Sequence, residues 1–275
     1  MRTNFAAVGL VSAMALIAAP LQAASIGVQP LMVEVEPGQS TAIRVRNASD
    51  ESTSIETVVV ERKIDENGVQ SQVPADDAFI LLPPQGTIAP QGLQVIRVQP
   101  LGATGLKESK SYFVSVQQVP VAFKPTERTG AGAHMLVRFA FDVAVHVVPR
   151  GAKPKMELVS ASPGTMMITI PPRPEEVIRP GGPPKPVIKT MPAAVISVRN
   201  DGNRYLYLQA YDYTITAVLE DGSRKEFPKL TEREIVDAAG VTLVPPHSAR
   251  KFSLPLLEGT RVRSLSVQVR ERPEG

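Results

Sequence analysis

Apolar and polar residues alternate with a period of two along most of the chain. This alternation is typical of strands that bury one face of a sheet. Turn-forming clusters interrupt it at short intervals, and Asn67-Gly68 is a strong hairpin signal between two such runs. In the first half the alternation is clearest in residues 41–47, 55–64, 94–98, 111–119 and 137–148. Short strands with frequent turns predict an antiparallel sandwich of the immunoglobulin type.

A second β-rich region follows a candidate linker at residues 151–155. Its predicted strands are residues 157–159, 166–170, 195–199, 205–218 and 265–269. Residues 231–239 can form one short helix, and the proline-rich stretch 171–186 reads as an extended loop whose role the sequence does not assign. We therefore expect an all-β chain of two sandwich domains, at residues 24–152 and 153–275.

The first 23 residues predict a cleaved export signal. Arg2 precedes an apolar run at residues 5–19, and small residues at Ala23 and Ala24 follow Pro20. The competing interpretation is a membrane anchor, but the run is shorter than the ~20 residues that a helix needs to span a bilayer. We expect a soluble, exported protein without stable membrane insertion. An exported chain with no cysteine favours the bacterial periplasm.

Composition excludes several kinds of chemistry. The 275 residues include no Cys, which removes disulfides, thiolate metal sites and thiol nucleophiles. The 26 Pro disfavour a mainly helical fold, because proline lacks an amide donor. The formal net charge is +3, and the basic residues are scattered along the chain. Since nucleic-acid binding needs a clustered basic face, we expect no nucleic-acid partner.

No catalytic or metal-binding motif emerges from the sequence. The three His residues have no ligand spacing with one another or with a carboxylate, so we expect no metal and no cofactor. Ser248 and Lys251 match the S-x-x-K pattern of some serine hydrolases. That chemistry needs the pair on a helix, whereas Pro245-Pro246 and the alternation that follows place it in a turn entering a strand. We predict that the chain is not an enzyme, with a serine hydrolase built on these two residues as the alternative.

The strand at residues 137–147 is the most informative segment. The residues that share its apolar face are Val137, Phe139, Phe141, Val143, Val145 and Val147. One interpretation is an ordinary half-buried strand. The other is a strand that adds itself to a partner's sheet, so that backbone hydrogen bonds give affinity and alternate side chains fill pockets.

Several segments together resemble one family. Residues 107–120 read KESKSYFVSVQQVP, with an acid-Ser pair, an aromatic strand and an apolar residue before Pro. Upstream, Leu82-Pro83-Pro84 and residues 88–98 follow the same order of elements, and the apolar strand falls downstream. This pattern is similar to the PapD-like periplasmic chaperones of the chaperone–usher pathway. The resemblance is specific in the first domain and diffuse in the second.

The resemblance implies two immunoglobulin-like domains set in an L or boomerang. It implies that the chain binds pilus or fimbrial subunits one to one by donor-strand complementation and delivers them to an outer-membrane usher. The alternative is a secreted two-domain β-sandwich adhesin or structural pilus component. We rank it lower because two complete-looking sandwiches directly follow the signal.

The resemblance also assigns candidate residues. The residues that would enter the subunit are Val137, Phe139, Phe141, Val143 and Val145. Better-known members grip the subunit's terminal carboxylate with an Arg and a Lys, but here the Arg position falls near Pro30 or Leu31 and the Lys position falls at His146. Arg97 and Arg138 are substitute anchors beside His146. The departure suggests a divergent or archaic branch.

A buried ion network between the domains is a further family feature. Its candidate members here are Arg97, Glu108 and Glu258. The alternative is a set of exposed charges, which would contribute only ~0–1 kcal/mol to stability.

Overall fold

The computed structural model describes residues 26–102, 105–119, 138–171 and 185–273. The first ten strands are β1 (Ile26–Gln29), β2 (Met32–Val35), β3 (Thr41–Asn47), β4 (Thr53–Ile64), β5 (Gln70–Pro74), β6 (Phe79–Leu82), β7 (Gln85–Ile88), β8 (Leu93–Pro100), β9 (Lys110–Val119) and β10 (Ala140–Val147). The export signal of residues 1–23 lies outside the described residues.

The remaining strands complete an almost entirely β chain. They are β11 (Met156–Ile170), β12 (Val187–Asn200), β13 (Leu206–Tyr207), β14 (Tyr211–Leu219), β15 (Arg224–Glu226), β16 (Leu243–Val244), β17 (Ala249–Pro255) and β18 (Val262–Glu271). Among the described residues one α-helix, α1 (Glu232–Ala239), follows β15. No helix in the described part of the chain is long and apolar enough to cross a membrane.

The first ten strands form two sheets that face each other. One sheet has the order β1-β3-β8-β6, and the other has the order β2-β10-β9-β4-β5 with β7 paired to β4. Ile43 and Ile96 project from the first sheet, and Val114 and Val145 from the second, into one shared core. The alternating pattern of the sequence is therefore the pattern of a sandwich, as predicted.

Strands β11 to β18 form a second sandwich. Its larger sheets have the orders β11-β12-β17 and β15-β14-β18, and β13 pairs with β16. Ile196, Leu254 and Ile215 meet in its core. The two-sandwich fold is confirmed, whereas the domain limits at residue 152 and the L-shaped arrangement stay predictions.

The predicted helix is confirmed and begins one residue later than expected. Thr231 is its N-cap, because the Thr231 side chain accepts from the Glu234 amide while the Glu234 carboxylate accepts from the Thr231 amide. Such a capping box satisfies two amide groups that the first turn leaves without intrahelical partners. Ile235 is fully buried and holds the helix on the second core.

Strand β11 corrects the prediction of two separate strands. Residues 156–170 form one continuous strand paired with β12, and Pro163 lies within it opposite Ala194. Proline is tolerated in an edge strand because its missing amide can face away from the neighbouring strand. The Pro163-Gly164 pair therefore reads as a turn in the sequence although the ladder continues through it.

The turn between β4 and β5 packs against the second sandwich. The Lys251 amide donates to the Glu66 carbonyl at 2.6 Å. A methyl group added at Gly68 would lie 1.8 Å from Nη2 of Arg250, so this glycine leaves room for the guanidinium. Arg250 is 2% exposed and donates to backbone carbonyls on both sides of the junction. The hairpin predicted from Asn67-Gly68 thus also joins the two sandwiches.

Substitution Gly68→Ala should destabilise the chain more than Gly38→Ala. Both glycines have a positive φ, 81° and 79°, so alanine costs about 1 kcal/mol at either site. Gly38 has open space around it, whereas alanine at residue 68 must also displace the hydrogen-bonded Arg250. We expect an additional loss of about 1–2 kcal/mol for Gly68→Ala, measured as the free energy of unfolding in urea. Equal losses for the two variants would contradict the packing role of Gly68.

Candidate functional site

Strand β10 is covered on both edges only in its second half. It pairs with β9 from Ala140 to Val147, but its parallel partner β2 reaches only from Ala144 onward. The Ala144 amide donates to the Leu31 carbonyl at 2.9 Å, and this contact marks where the cover begins. Residues 138–143, which we call the donor edge, have no strand on their outer side among the described residues.

Two aromatic rings line the donor edge. The Phe139 and Phe141 rings stack with their centroids 6.3 Å apart, and both side chains are only partly buried. Phe141 contacts the rim of the first core. Arg138, Ala140 and Asp142 alternate with these rings and are exposed. The donor edge therefore offers an apolar row next to unpaired backbone groups.

The burial of β10 corrects part of the predicted set of residues that would enter the subunit. Val143 and Val145 are fully buried in the chain's own core, at 0% exposure. They cannot enter a partner's groove without leaving a cavity behind, which costs a few kcal/mol per side chain. The sequence misjudged them because a period of two identifies the face of a strand but not the depth of each residue. Val137 lies outside the described residues.

His146 lies near the C-terminal end of β10, between the two sandwiches. It is fully buried, and its Nδ1 and Nε2 atoms lie 2.8 Å from Ser111 Oγ and 2.9 Å from Tyr207 Oη. Its ring stacks on Tyr205 with the centroids 4.0 Å apart. Burial lowers the pKa of His146 to about 4, and the nearby Arg62 guanidinium lowers the pKa further than Glu34 raises it. His146 is therefore neutral near pH 7.

Glu34 connects the same region to the second sandwich. Its carboxylate accepts two hydrogen bonds from Arg204 Nη2, at 2.7 and 2.9 Å, and one from the Tyr205 hydroxyl. Burial and this bond to Glu34 raise the pKa of Tyr205. Sequence reasoning missed Glu34, Arg204 and Tyr205, and the only signal was the aromatic pair Tyr205-Leu206-Tyr207 in a chain with five Tyr.

Backbone contacts around Ser109 support the same junction. Buried Ser109 accepts from the Tyr205 amide at 2.7 Å through Oγ and donates its own amide to the Asn203 carbonyl at 2.9 Å. Asn203 in turn donates to the Lys107 carbonyl. The acid-Ser pair noted in the sequence thus acts through its serine, which holds the loop before β9 against the second sandwich.

A cleft of about 640 Å³ opens beside this junction. Its lining includes Arg62, Lys63, Lys110, Ser111 and Ser248. Arg62 donates to the neutral Gln70 side chain, at 2.8 and 3.1 Å, and lies over the Phe113 ring. Lys63 is paired with Glu61. Arg62 and Lys110 are thus the cleft cations for which the described residues show no salt bridge.

The three predicted carboxylate anchors do not meet at this cleft. His146 is enclosed and neutral. Arg97 lies on β8 in the opposite sheet, where Nε donates to Ser40 Oγ at 3.1 Å. Arg138 is eight residues before His146, or about 26 Å along an extended strand. The three candidates therefore do not converge on this cleft, and their role as carboxylate anchors stays a prediction.

The described ion pairs do not join the three members of the predicted interdomain ion network. Among the described ion pairs, Glu108 lies 3.8 Å from His247 and Glu258 lies 2.6 Å from Lys189. Arg97 contacts neither carboxylate. These residues are separated because Glu258 belongs to the turn before β18, far along the second sandwich from the junction. Glu34 and Arg204 form a closer ionic contact between the sandwiches, at 2.7 Å.

The hydrolase motif lies in a turn, as the sequence predicted. Ser248 immediately precedes β17, and its Oγ donates to the Pro246 carbonyl at 3.1 Å. Lys251 is an exposed strand residue whose amide, rather than its side chain, makes the described contact to Glu66. Within the described ranges no three His, Asp or Glu side chains are grouped as metal ligands would be.

His146 should make the stability of the chain fall below neutral pH. Its pKa in the folded chain, about 4, lies below the ordinary value of 6.5, so the unfolded chain binds more protons between these values. The free energy of unfolding should therefore decrease as the pH drops through this window. Between about pH 7 and pH 5 the unsubstituted chain should lose about 2 kcal/mol more than His146→Gln, measured by urea unfolding. Parallel pH profiles would contradict a neutral buried imidazole.

Comparisons with known proteins identify the first sandwich. Residues 25–153 match the family model of the pili and flagellar-assembly chaperones, PapD N-terminal domain. No curated protein matches the sequence.

Solved structures share the fold over about nine-tenths of the chain. A chaperone–tip adhesin complex of CFA/I fimbriae biogenesis aligns with a TM-score of 0.51 and 12% identity, over 90% of this chain and 98% of that one. The class 5 fimbriae chaperone CfaA aligns with a TM-score of 0.50 and 13% identity, over 91% of this chain and all of that one. Residues 25–153 are therefore similar to the PapD N-terminal domain of the pili and flagellar-assembly chaperones.

Proposed function

We propose that the chain is a periplasmic chaperone that binds pilus or fimbrial subunits by donor-strand complementation and delivers them to an outer-membrane usher. The donor edge is the observation that carries this proposal. Its outer backbone groups are unpaired among the described residues, and two partly buried aromatic rings line it. A cleft lies beside the C-terminal end of the same strand. The match to the family model, and a structural neighbour that is itself a chaperone–tip adhesin complex, support a surface subunit as the partner.

The physical need for such a chaperone follows from an incomplete sandwich. A subunit that lacks one strand exposes an apolar groove between two unpaired edges, and such edges aggregate. The donor edge supplies backbone hydrogen bonds to one edge of the groove, and Phe139 and Phe141 fill it. A fully buried Phe contributes about 1.5–3 kcal/mol relative to an exposed one, so two rings provide substantial binding energy.

The C-terminal half of β10 fixes the position of its N-terminal half, which belongs to the donor edge. Val143, Val145 and Val147 are buried in the first core, and β2 and β9 pair with both edges of the strand at residues 144–147. The donor edge is therefore already extended before a subunit arrives. This preorganisation reduces the entropy lost on binding.

Arg62 and Lys110 are the proposed anchors for the subunit's terminal carboxylate. Both line the cleft beside the C-terminal end of β10, and neither is paired with a carboxylate among the described residues. The planar guanidinium of Arg62 can bind a carboxylate with two parallel hydrogen bonds. Lys110 begins β9 opposite Val147, so it lies beside the end of the donated strand. These two residues replace the anchors expected from the sequence.

Substitutions Phe139→Asp and Phe141→Asp should abolish subunit binding. Each places a carboxylate where the subunit groove is apolar and removes the buried ring, so we expect at least a hundredfold loss of recovered complex. The measurement is co-purification of the tagged chain from the periplasm, with the bound protein identified by mass spectrometry. Ala140→Asp is the matched control, because residue 140 is exposed on the other face of the same edge and should retain binding.

Two results would overturn the proposal. One is unchanged recovery with both Phe variants. The other is localisation of the mature chain on the cell surface as part of an assembled appendage, which would favour the adhesin or structural-component alternative. Urea unfolding of each variant separates lost binding from lost folding.

Removing the cleft cations should weaken binding through the carboxylate alone. Lys110→Gln and Arg62→Gln should each reduce the affinity for a subunit's C-terminal peptide about tenfold when the peptide has a free carboxylate, and far less when it is amidated. Lys63→Gln is the control, since Lys63 lines the same cleft but is already paired with Glu61. Isothermal titration measures the affinities. Equal losses for both peptides would exclude a carboxylate anchor at these residues.

A further inference from the structure

The hairpin of β11 and β12 extends beyond the second sandwich. Strand β17 pairs with β12 only as far as Ala193, and the Leu256 amide makes one last contact with the Pro192 carbonyl. Beyond that point residues 166–170 and 187–191 pair only with each other. We call this two-stranded segment the ribbon. Its five residue pairs extend about 16 Å.

The ribbon exposes large apolar side chains. The exposed fractions of its residues are 75% for Met167, 68% for Ile188, 61% for Val187 and 41% for Ile170. A two-stranded ribbon is at best marginally stable in water and normally needs a further strand or a packed face. No third strand pairs with this segment among the described residues, so an additional strand could extend the ribbon.

The outer edge of β11 also lacks the usual protection against pairing. Natural edge strands carry charges, prolines or bulges that block a second strand. In β11 a bulge at Leu158–Ser160 and Pro163 interrupt the first half. From Gly164 to Ile170 the sequence GTMMITI contains neither a charge nor a proline. We call residues 164–170 the neutral edge, and β12 is the only described strand that pairs with it.

We propose that the neutral edge pairs antiparallel with the same edge of a second copy of this chain. Around a twofold axis each side chain of one edge meets an uncharged side chain of the other, so no like charges oppose each other. Lys189 is the one charge of the ribbon, and it lies on β12, 2.6 Å from Glu258. The pairing joins two ribbons into one four-stranded sheet with Met167 at its centre.

This dimer leaves the proposed subunit site free. The Asn200 end of the hairpin lies at the junction, because the Asn200 side chain donates to the carbonyl of Pro245, which lines the cleft. Ile170 and Val187 are at the opposite end of the hairpin. Fourteen residues separate Met156 from Ile170, which corresponds to about 46 Å. Each copy can therefore bind a subunit while the ribbons are paired.

Sedimentation equilibrium of the mature chain tests the pairing. We expect a concentration-dependent dimer whose dissociation constant rises at least tenfold with Met167→Lys and with Thr169→Lys, because each variant opposes like charges across the axis. Thr190→Lys is the matched control, since Thr190 is an exposed ribbon residue on β12 and lies away from the axis. A monomer at all concentrations overturns the proposal, and so does a dimer that neither edge variant weakens. Circular dichroism establishes that each variant is folded.

The absence of cysteine allows a direct second test. Single variants Thr165→Cys, Met167→Cys and Thr169→Cys should form intermolecular disulfides on mild oxidation, and the fastest one marks the residue nearest the axis. Thr190→Cys should react much more slowly. Equal rates at all four positions overturn the proposal. A dimer that is lost in Phe139→Asp but kept in Met167→Lys also overturns it, because self-association then uses the donor edge.

Discussion

Strand β10 belongs to the chain's own core and to its proposed partner at the same time, and this division governs the rest of the structure. Val143, Val145 and Val147 pack its C-terminal half into the core of the first sandwich. The N-terminal half cannot then change its register against β9, because a shift of one residue would expose those valines. The length of the donor edge is thus set by the point at which β2 begins to cover the strand.

The same strand connects the donor edge to the junction between the sandwiches. His146 follows Val145 and stacks on Tyr205 of the second sandwich. A neutral imidazole suits this enclosed position, since an unpaired buried charge would be costly. The Glu34 carboxylate at this junction is balanced by Arg204. Movement of one sandwich against the other would therefore disturb the end of β10, where the cleft and its cations lie.

Local signals predicted the elements, and distant contacts defined the site. The alternation at residues 111–119, the hairpin at Asn67-Gly68 and the helix after Thr231 each depend on neighbours in sequence. The Glu34–Arg204 pair joins residues 170 positions apart, so no local pattern could indicate it. Likewise, the sequence placed Val143 and Phe139 on one face, but only the packing of the two sheets shows that Val143 is a core residue.

A chain that offers one strand edge to a partner must still limit strand pairing at its other edges. In β11 the bulge and Pro163 restrict free backbone to the last seven residues, so a second strand cannot extend the ladder into the sandwich. An isologous pair also uses the same edge on both copies and leaves none of it for a third. Pairing at the neutral edge is therefore closed at two chains, whereas an unrestricted apolar edge would add further strands.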